Sequence, residues 1–195
     1  MWTKQLLGTD VYHLVAAFSI YSMLGWFVES VYMSFCNRKL TNRGFGKGPF
    51  CPIYGFGAVI GYFILNPFRS HRVAVYLLGA MAATIFEFIV GKAMIRILGD
   101  LWWDYNEKPF NYKGIICLES TIAWGLYALA VVYFVQGEVN GMIDRVNKTW
   151  GIRILIIVLL IVTVDYIVQL TKVFHVDIKE KRERFLAYVA SRLGH

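Results

Sequence analysis

The sequence predicts an all-α integral membrane protein. Hydrophobic residues make up 57% of its 195 positions and charged residues only 17%, whereas about a quarter of the residues in a soluble domain are charged. The mean hydropathy is +0.52. Apolar and aromatic residues also continue through almost the whole chain, which excludes intrinsic disorder. These observations predict a chain embedded in a bilayer rather than a water-soluble enzyme.

Five apolar segments predict about five transmembrane helices. A spanning helix needs about 20 mostly apolar residues, and four segments meet that requirement: Val11–Phe35, Val73–Ile97, Ile115–Val135 and Ile152–Leu170. A fifth, Pro52–Leu65, has only 14 residues, so we expect a short span or a re-entrant segment. Residues 1–171 are thus predicted to form a single transmembrane domain, followed by a polar tail at 172–195.

The tail and its basic residues predict the orientation of the chain. Between Ile178 and Leu193 the apolar residues recur at helical spacing and the basic residues lie mainly elsewhere, which predicts an amphipathic helix on anionic membrane lipid; a soluble partner is the alternative. Five spans would put the tail on the same face as two polar loops, Arg38–Lys47 and Asp100–Lys113, and this face is the more basic one. Because basic residues favour the cytoplasm, we expect the tail inside and the N-terminus outside. The net charge of +7 then indicates lipid and cytoplasmic loops rather than nucleic acid.

A two-helix unit occurs twice in the sequence. Lys47–Cys51 and Lys113–Cys117 both read Lys-Gly-x-x-Cys, and both precede an apolar helix. Upstream of each lies a long apolar segment with one carboxylate, Glu29 or Glu87. We interpret these as two similar helix-loop-helix repeats in the same orientation; chance similarity at a membrane boundary is the alternative. The repeats would cover residues 11–65 and 73–135.

The two intramembrane carboxylates are the main functional candidates. A charged side chain within a span usually faces the bundle interior or a wet cavity, because exposure to lipid is costly. Glu29 and Glu87 also share their helix stripes with small residues, which indicates close packing or a polar cleft. We therefore expect roles in substrate binding or proton coupling. The alternative is that both are structural glutamates, satisfied by Tyr, Ser or Lys across an interface.

The two loops supply the other candidates. Arg43 and Lys47 could hold an anionic head group, or could act as cytoplasmic anchors, and the repeat-equivalent Lys113 is a further candidate for substrate binding or proton coupling. Trp103 belongs to an aromatic run that is also typical of a membrane interface. Asp104, next to it, is expected to pair with Arg43 and lock the two repeats together, with a cationic ligand group as the alternative.

Several other chemistries are not expected. No Gly-x-x-x-x-Gly-Lys-Ser/Thr is present, so the chain should not hydrolyse ATP through a P-loop. Two thiols, Cys51 and Cys117, are too few for a structural zinc site, and we expect no metal and no cofactor; small-residue packing at helix starts explains these cysteines. Gly57 and Gly61 form a Gly-x-x-x-Gly pattern, which predicts a close helix-packing or dimer face. The sequence leaves open whether Asp165 is paired or reaches the interface.

The assembled motifs resemble the CmpB-type ABC-transporter, type IV, family of bacterial membrane proteins. The resemblance covers about residues 18–125, and its most specific strings are Asn42–Phe45, Cys51–Gly57, Trp102–Tyr105, Pro109–Asn111 and Gly114–Leu118. It implies a permease in the bacterial inner membrane but no particular substrate or catalytic residue. Where the family has a hydrophobic residue after Asn-Arg-Gly-Phe, this chain has Gly46, which is expected to loosen the loop.

Three functions fit these residues. The leading hypothesis is a permease-like protein of unknown substrate, with a polar cleft between the repeats that holds Glu29 and Glu87. Such a protein would form a homodimer, because five spans are few for a transporter, and its ATPase would be a separate chain. The alternatives are an integral-membrane enzyme acting on a lipid or amphiphile, and a non-catalytic membrane subunit that binds a partner through its loops and tail.

Overall fold

The computed structural model describes residues 2–6 and 8–193, with side chains as far as Phe174. The predicted all-α class is confirmed, because most of these residues are helical. The helices are α1 (Val11–Asn37), α2 (Pro52–Leu65), α3 (Arg72–Leu98), α4 (Leu118–Ala130), α5 (Gln136–Arg145) and α6 (Lys148–Leu193). A two-residue strand pair, β1 (Gln5–Leu6) and β2 (Thr9–Asp10), precedes α1, a 3₁₀ turn at Asn66–Phe68 follows α2, and a π-helical turn at Val131–Val135 joins α4 to α5.

Long apolar helices make the chain a multi-pass membrane protein. In the described part of the chain, four helical runs are long and apolar enough to cross a bilayer: Val11–Asn37, Arg72–Leu98, Leu118–Arg145 and Lys148–Phe174. The predicted bounds of α2 are confirmed. At 1.5 Å per residue, its 14 residues extend about 21 Å, which is less than the roughly 30 Å thickness of the hydrocarbon core.

Two helices are longer than their apolar segments. The run that begins at Leu118 continues to Arg145 because Gln136, Val139 and Ile143, spaced three and four residues apart, remain buried while the polar residues between them are mostly exposed. Helix α6 continues without a break from its apolar part to Leu193. The predicted contact of the tail with lipid depends on side chains beyond Phe174, which lie outside the described residues.

The helices pair as two hairpins. Helix α1 packs mainly against α2 (hairpin 1), and α3 packs mainly against α4 (hairpin 2). Glycines allow the close approach within each pair, because a Cβ atom at Gly25 would overlap the ring of Tyr54, and one at Gly125 would overlap the ring of Tyr76. Contacts between the hairpins are fewer than those within them. The two pairs are therefore separate packing units.

A buried cluster and a charged cluster join α1 to α5 and α6 at the N-terminal end of α1. Tyr12, Tyr21 and Ile143 belong to the main hydrophobic core. Asp10 caps α1 by accepting a hydrogen bond from the backbone of His13 (2.9 Å), and it also pairs with Lys148. Burial opposes the ionisation of Asp10, but the hydrogen bonds from Lys148 and His13 outweigh it and lower its pKa. This cluster fixes the end of the bundle opposite the candidate residues.

Both connections within the hairpins fold back along the helix that precedes them. In the first connection (residues 38–51), Thr41 bonds to Ser34 of α1 (2.9 Å), Arg43 to Ser30 (3.2 Å) and Cys51 to Ser22 (3.0 Å). Helix α2 thus begins about four turns back from the end of α1, which explains why it is short. Because non-helical backbone is tolerated at membrane depth only when protein covers it, this return along α1 also protects the connection.

Candidate functional site

Glu29 forms an ion pair with the first connection. Its Oε1 atom accepts a hydrogen bond from Arg43 Nε (2.9 Å), and its Oε2 atom accepts one from the Tyr54 hydroxyl (2.7 Å). The side chains of Arg43 and Glu29 are 20% and 23% exposed. Arg43 also donates from Nη1 to the carbonyl oxygen of Trp102 (2.9 Å). The cation that neutralises Glu29 therefore also fastens the second connection (residues 99–117) to hairpin 1.

The Asn-Arg-Gly-Phe motif shapes the first connection. The Oδ1 atom of Asn42 accepts hydrogen bonds from Trp26 Nε1 (2.6 Å) and from the backbone N–H of Gly44 (2.9 Å). Phe45 stacks on Trp102, with ring centroids 4.7 Å apart and planes 14° apart. Asn42 thus holds the turn, Arg43 binds Glu29, and Phe45 joins the two connections.

Gly46 tightens the first connection, so the expectation that it loosens this loop is wrong. A Cβ atom at residue 46 would overlap the carboxylate of Asp165 on α6. The same carboxylate accepts a hydrogen bond from the backbone N–H of Gly48 (3.0 Å), and the Tyr166 hydroxyl donates to the carbonyl oxygen of Phe50 (3.1 Å). Gly46 therefore allows α6 to clamp the connection, and Asp165 is paired. Lys47 is exposed beside the same contact.

Glu87 is buried and hydrogen-bonded only by neutral groups. The residue is 4% exposed. Its Oε1 atom accepts from the Tyr105 hydroxyl (3.0 Å), and its Oε2 atom accepts from Ser120 Oγ (3.2 Å) and Trp124 Nε1 (3.1 Å). Among the side chains that the structure describes, no Lys or Arg bonds to it. Burial, reinforced by the Glu87 carboxylate, raises the pKa of Tyr105, so this phenol stays protonated as a donor.

Asp104 does not pair with Arg43, which corrects that prediction. Its Oδ1 atom accepts hydrogen bonds from the backbone N–H (2.8 Å) and the side-chain amide (2.7 Å) of Asn106. Arg43 instead directs its donors to Glu29 and to the Trp102 carbonyl. The two connections are joined, but through the backbone and ring of Trp102 rather than through an acidic side chain.

Trp103 and Lys113 belong to the framework of the second connection. Trp103 donates from Nε1 to the carbonyl oxygen of Ile115 (2.8 Å) and packs against Gly91 of α3. Lys113 has a positive φ of 55° and holds its ammonium nitrogen 5.6 Å from the centre of the Tyr112 ring. The structure therefore brings Trp103 near the helix of Glu87 and leaves Lys113 exposed.

Cys51 and Cys117 occupy the N-cap positions of α2 and α4, and both are buried. The Sγ atom of Cys117 accepts a hydrogen bond from the backbone N–H of Ser120 (3.3 Å). Burial raises the pKa of Cys51 to about 12, so this thiol is un-ionised at neutral pH. These positions agree with small-residue packing at helix starts.

A cleft of about 110 Å³ lies between the two hairpins. Helix α2 contributes Gly57 and Gly61, and hairpin 2 contributes Glu87 and Trp124. Within the described part of the chain, a Cβ atom at Gly61 would meet no atom within 4 Å, and one at Gly57 would meet only the Phe86 ring, at 3.8 Å. Inside this chain the two glycines border the cleft and do not pack closely against another helix.

Apart from Arg43, the donors to the two glutamates were not among the residues predicted to form the site. Tyr54 and Ser120 each lie three residues after the cysteine of a Lys-Gly-x-x-Cys motif, and each bonds to the glutamate of its own hairpin. Aligning the two motifs would have revealed this shared position. Tyr105 and Trp124 have no such signal, because they have no equivalent donor in hairpin 1. Tyr54 also lines the cleft. Because the Tyr54 hydroxyl donates to Glu29, this side chain connects Glu29 to the cleft.

Comparison with known proteins confirms the resemblance. The model of a family described as "Putative ABC-transporter type IV" matches residues 16–170. No curated protein and no solved structure matches the chain.

Proposed function

Because the chain belongs to this ABC-transporter type IV family, we propose that it is a permease-like membrane subunit of an ABC-type transport system. Its cleft would receive the substrate between two repeated helix-loop-helix units. Since the sequence has no P-loop, the ATPase would be a separate subunit. We further propose that the protein lies in the bacterial cytoplasmic membrane with both connections and the tail facing the cytoplasm.

The observation that carries this proposal is the position of Glu87 at the cleft. A transport subunit needs a binding place between parts that can move relative to each other. Here the two hairpins pack tightly within themselves and loosely against each other, and the space between them is bordered by a buried carboxylate. Glu87 is thus our proposed substrate-binding or proton-coupling residue, and Arg43, Lys47, Asp104, Trp103 and Lys113 would support it from the connections.

Corresponding contacts support the proposed repeat. In each hairpin a cysteine occupies the N-cap position of the second helix, and the residue three positions later donates to the glutamate of the first helix. Five spans enclose little space, so we propose that two copies associate as a homodimer surrounded by membrane lipid. The exposed apolar side chains on α3 and α6 could contact either lipid or the second copy.

Access to the cleft tests the proposal. The variant Gly61→Cys, made in a Cys36→Ser background, places a single reactive cysteine at the cleft. The rate at which this cysteine reacts with a membrane-permeant maleimide is measured in membranes of the native organism. ATP with vanadate should change the reaction rate severalfold, because ATP drives the cleft between two arrangements. The matched control is Gly137→Cys on α5, another open helical position, whose rate should stay the same. An unchanged rate at residue 61 would contradict the proposal.

A further inference from the structure

Three aromatic side chains lie together where the cleft meets Glu87. Tyr54, Trp124 and Tyr127 all line the cleft, and their ring centroids are 5.9–6.4 Å apart. Trp124 also bonds directly to Glu87. Aromatic rings attract cations through their quadrupole, and most strongly where water is excluded. The surroundings of the cleft therefore favour a positive ligand group over a negative one.

The carboxylate beside these rings has capacity for a further partner. Two carboxylate oxygens offer about four lone-pair positions, and Glu87 fills three of them with neutral donors. Glu29, in contrast, is neutralised by Arg43. A cationic ligand would supply at Glu87 the compensating charge that Arg43 supplies at Glu29.

The size and lining of the cleft define the rest of the ligand. Cavities of about 150 Å³ bind benzene; the cleft, at about 110 Å³, is smaller, and its open side lets a group about the size of one ring extend beyond it. Apart from Glu87, the lining consists mainly of small apolar and aromatic residues, including Gly57, Gly61, Ala83 and Phe86. Such a lining excludes a hydrated inorganic ion and favours an apolar body.

We propose that the cleft binds a hydrophobic organic cation, namely an ammonium or quaternary ammonium group carrying an apolar substituent about the size of one ring. The positive group lies beside Glu87 and the rings of Tyr54, Trp124 and Tyr127. The apolar substituent lies between α2 and α3, along Gly57 and Gly61. This inference names the substrate class of the transport cleft and in that sense rests on the proposed function.

Binding of a defined pair of probes tests the charge. The full chain is placed in nanodiscs of phosphatidylcholine and titrated calorimetrically with benzyltrimethylammonium. Neopentylbenzene, in which carbon replaces the nitrogen, has the same shape without the charge. The cation should bind saturably and at least about tenfold more tightly than the neutral compound, in line with a desolvated cation–π contact and a carboxylate. Equal binding of the two compounds would overturn the proposal.

Paired variants locate the site. Glu87→Gln should weaken binding of the cation by about tenfold, whereas Glu138→Gln, at an exposed carboxylate on α5, should leave it unchanged. Gly61→Phe should abolish binding by filling the cleft, and Gly137→Phe is its control. Gly61→Phe leaves the hydrogen bonds of Glu87 intact, so it tests the site even if Glu87→Gln fails to fold. If Gly61→Phe bound the cation with the wild-type affinity, the binding site would lie outside the cleft and the proposal would be overturned.

The binding and transport experiments fail independently. The titration needs only this chain, whereas the maleimide experiment needs ATP and an ATPase. Tight binding of the cation with an unchanged maleimide rate would reject transport and support the cation site. An ATP-dependent maleimide rate without preferential binding of the cation would support transport and reject the cation site.

Discussion

Glu29 and Glu87 lie in corresponding helices of the two hairpins, yet their charges are compensated differently. Glu29 has a cation, Arg43, which also holds the two connections together. Glu87 has three neutral donors and borders the cleft. One arrangement of helix, connection and helix can therefore serve two purposes. In hairpin 1 the carboxylate joins the helix to the first connection through Arg43, whereas in hairpin 2 we propose that it receives a ligand.

Side-chain size at two corresponding positions contributes to this difference. Four residues before each glutamate, hairpin 1 has Gly25 and hairpin 2 has Ala83. Because Gly25 has no side chain, the ring of Tyr54 packs directly against α1 one turn before Glu29. The residue corresponding to Tyr54 is Ser120, which is too small to fill the same space, and Ala83 lines the cleft. Hairpin 1 therefore has a ring packed against its glycine at this position, whereas hairpin 2 has a serine that bonds to Glu87.

The largest effect on stability should come from Arg43→Met. It leaves the carboxylate of Glu29 partly buried without its cation, and losing one partner of such a pair costs about 3 kcal/mol of the free energy of unfolding. SDS titration in mixed micelles measures this change. The double variant Arg43→Met with Glu29→Gln should recover much of the loss. A loss below about 1 kcal/mol in the single variant would mean that the pair contributes no more than an exposed ion pair.

Gly25→Ala should come next, because its methyl group would overlap the Tyr54 ring. Overpacking of this kind costs about 2 kcal/mol of the free energy of unfolding. The control is Gly61→Ala, on the open side of α2, which should stabilise by up to about 1 kcal/mol through helix propensity alone. The same titration measures both, and equal effects would show that Gly25 is not needed for the Tyr54 contact.

The two Glu→Gln variants should differ in stability. Glu29→Gln leaves the guanidinium of Arg43 without a charged partner and should cost about 2 kcal/mol. Glu87→Gln should cost only about 1 kcal/mol, because the hydroxyls of Tyr105 and Ser120 can accept a hydrogen bond from the new amide. Thermal unfolding in nanodiscs gives the order. If Glu87→Gln were the more damaging variant, the assignment of a structural role to Glu29 alone would be wrong.

The cap cysteines should show the smallest difference. Cys117→Ser should change stability by less than about 0.5 kcal/mol, because serine is a good N-cap residue and the backbone N–H of Ser120 is already in place. Cys51→Ser should cost about 1 kcal/mol, because it buries a hydroxyl where no side-chain cap bond forms in the described part of the chain. Chemical unfolding of both variants tests this, and similar losses would contradict it.

The sequence was sufficient for the helices but not for the contacts of the connections. Hydropathy predicted α2 and the four long spans, and the single carboxylates singled out Glu29 and Glu87. The partner of Arg43 could not be predicted, because the first connection returns along α1 and no periodic pattern records that path. The extension of the helical run through α5 was also missed, since its few apolar residues, Val139, Met142 and Ile143, are interspersed with polar residues and glycines.

The cleft was hard to predict for a different reason. Gly57 and Gly61 give the same sequence pattern whether a neighbouring helix packs against them or a space remains. Only the position of hairpin 2 decides between these outcomes. Gly46 presents the same difficulty. A side chain is excluded at this position only because the carboxylate of Asp165, far away in the sequence, reaches the first connection from α6.

Chemical modification of carboxyl groups tests the difference between the two glutamates most directly. N,N′-Diisopropylcarbodiimide, a small hydrophobic reagent that reacts with protonated carboxyl groups, is applied to the protein in nanodiscs, and the modified residues are identified by mass spectrometry. We predict modification at Glu87, its loss in Gly61→Phe and protection by benzyltrimethylammonium, with Glu29 left unmodified beside Arg43. Equal modification of both residues, or modification of Glu29 alone, would contradict the account.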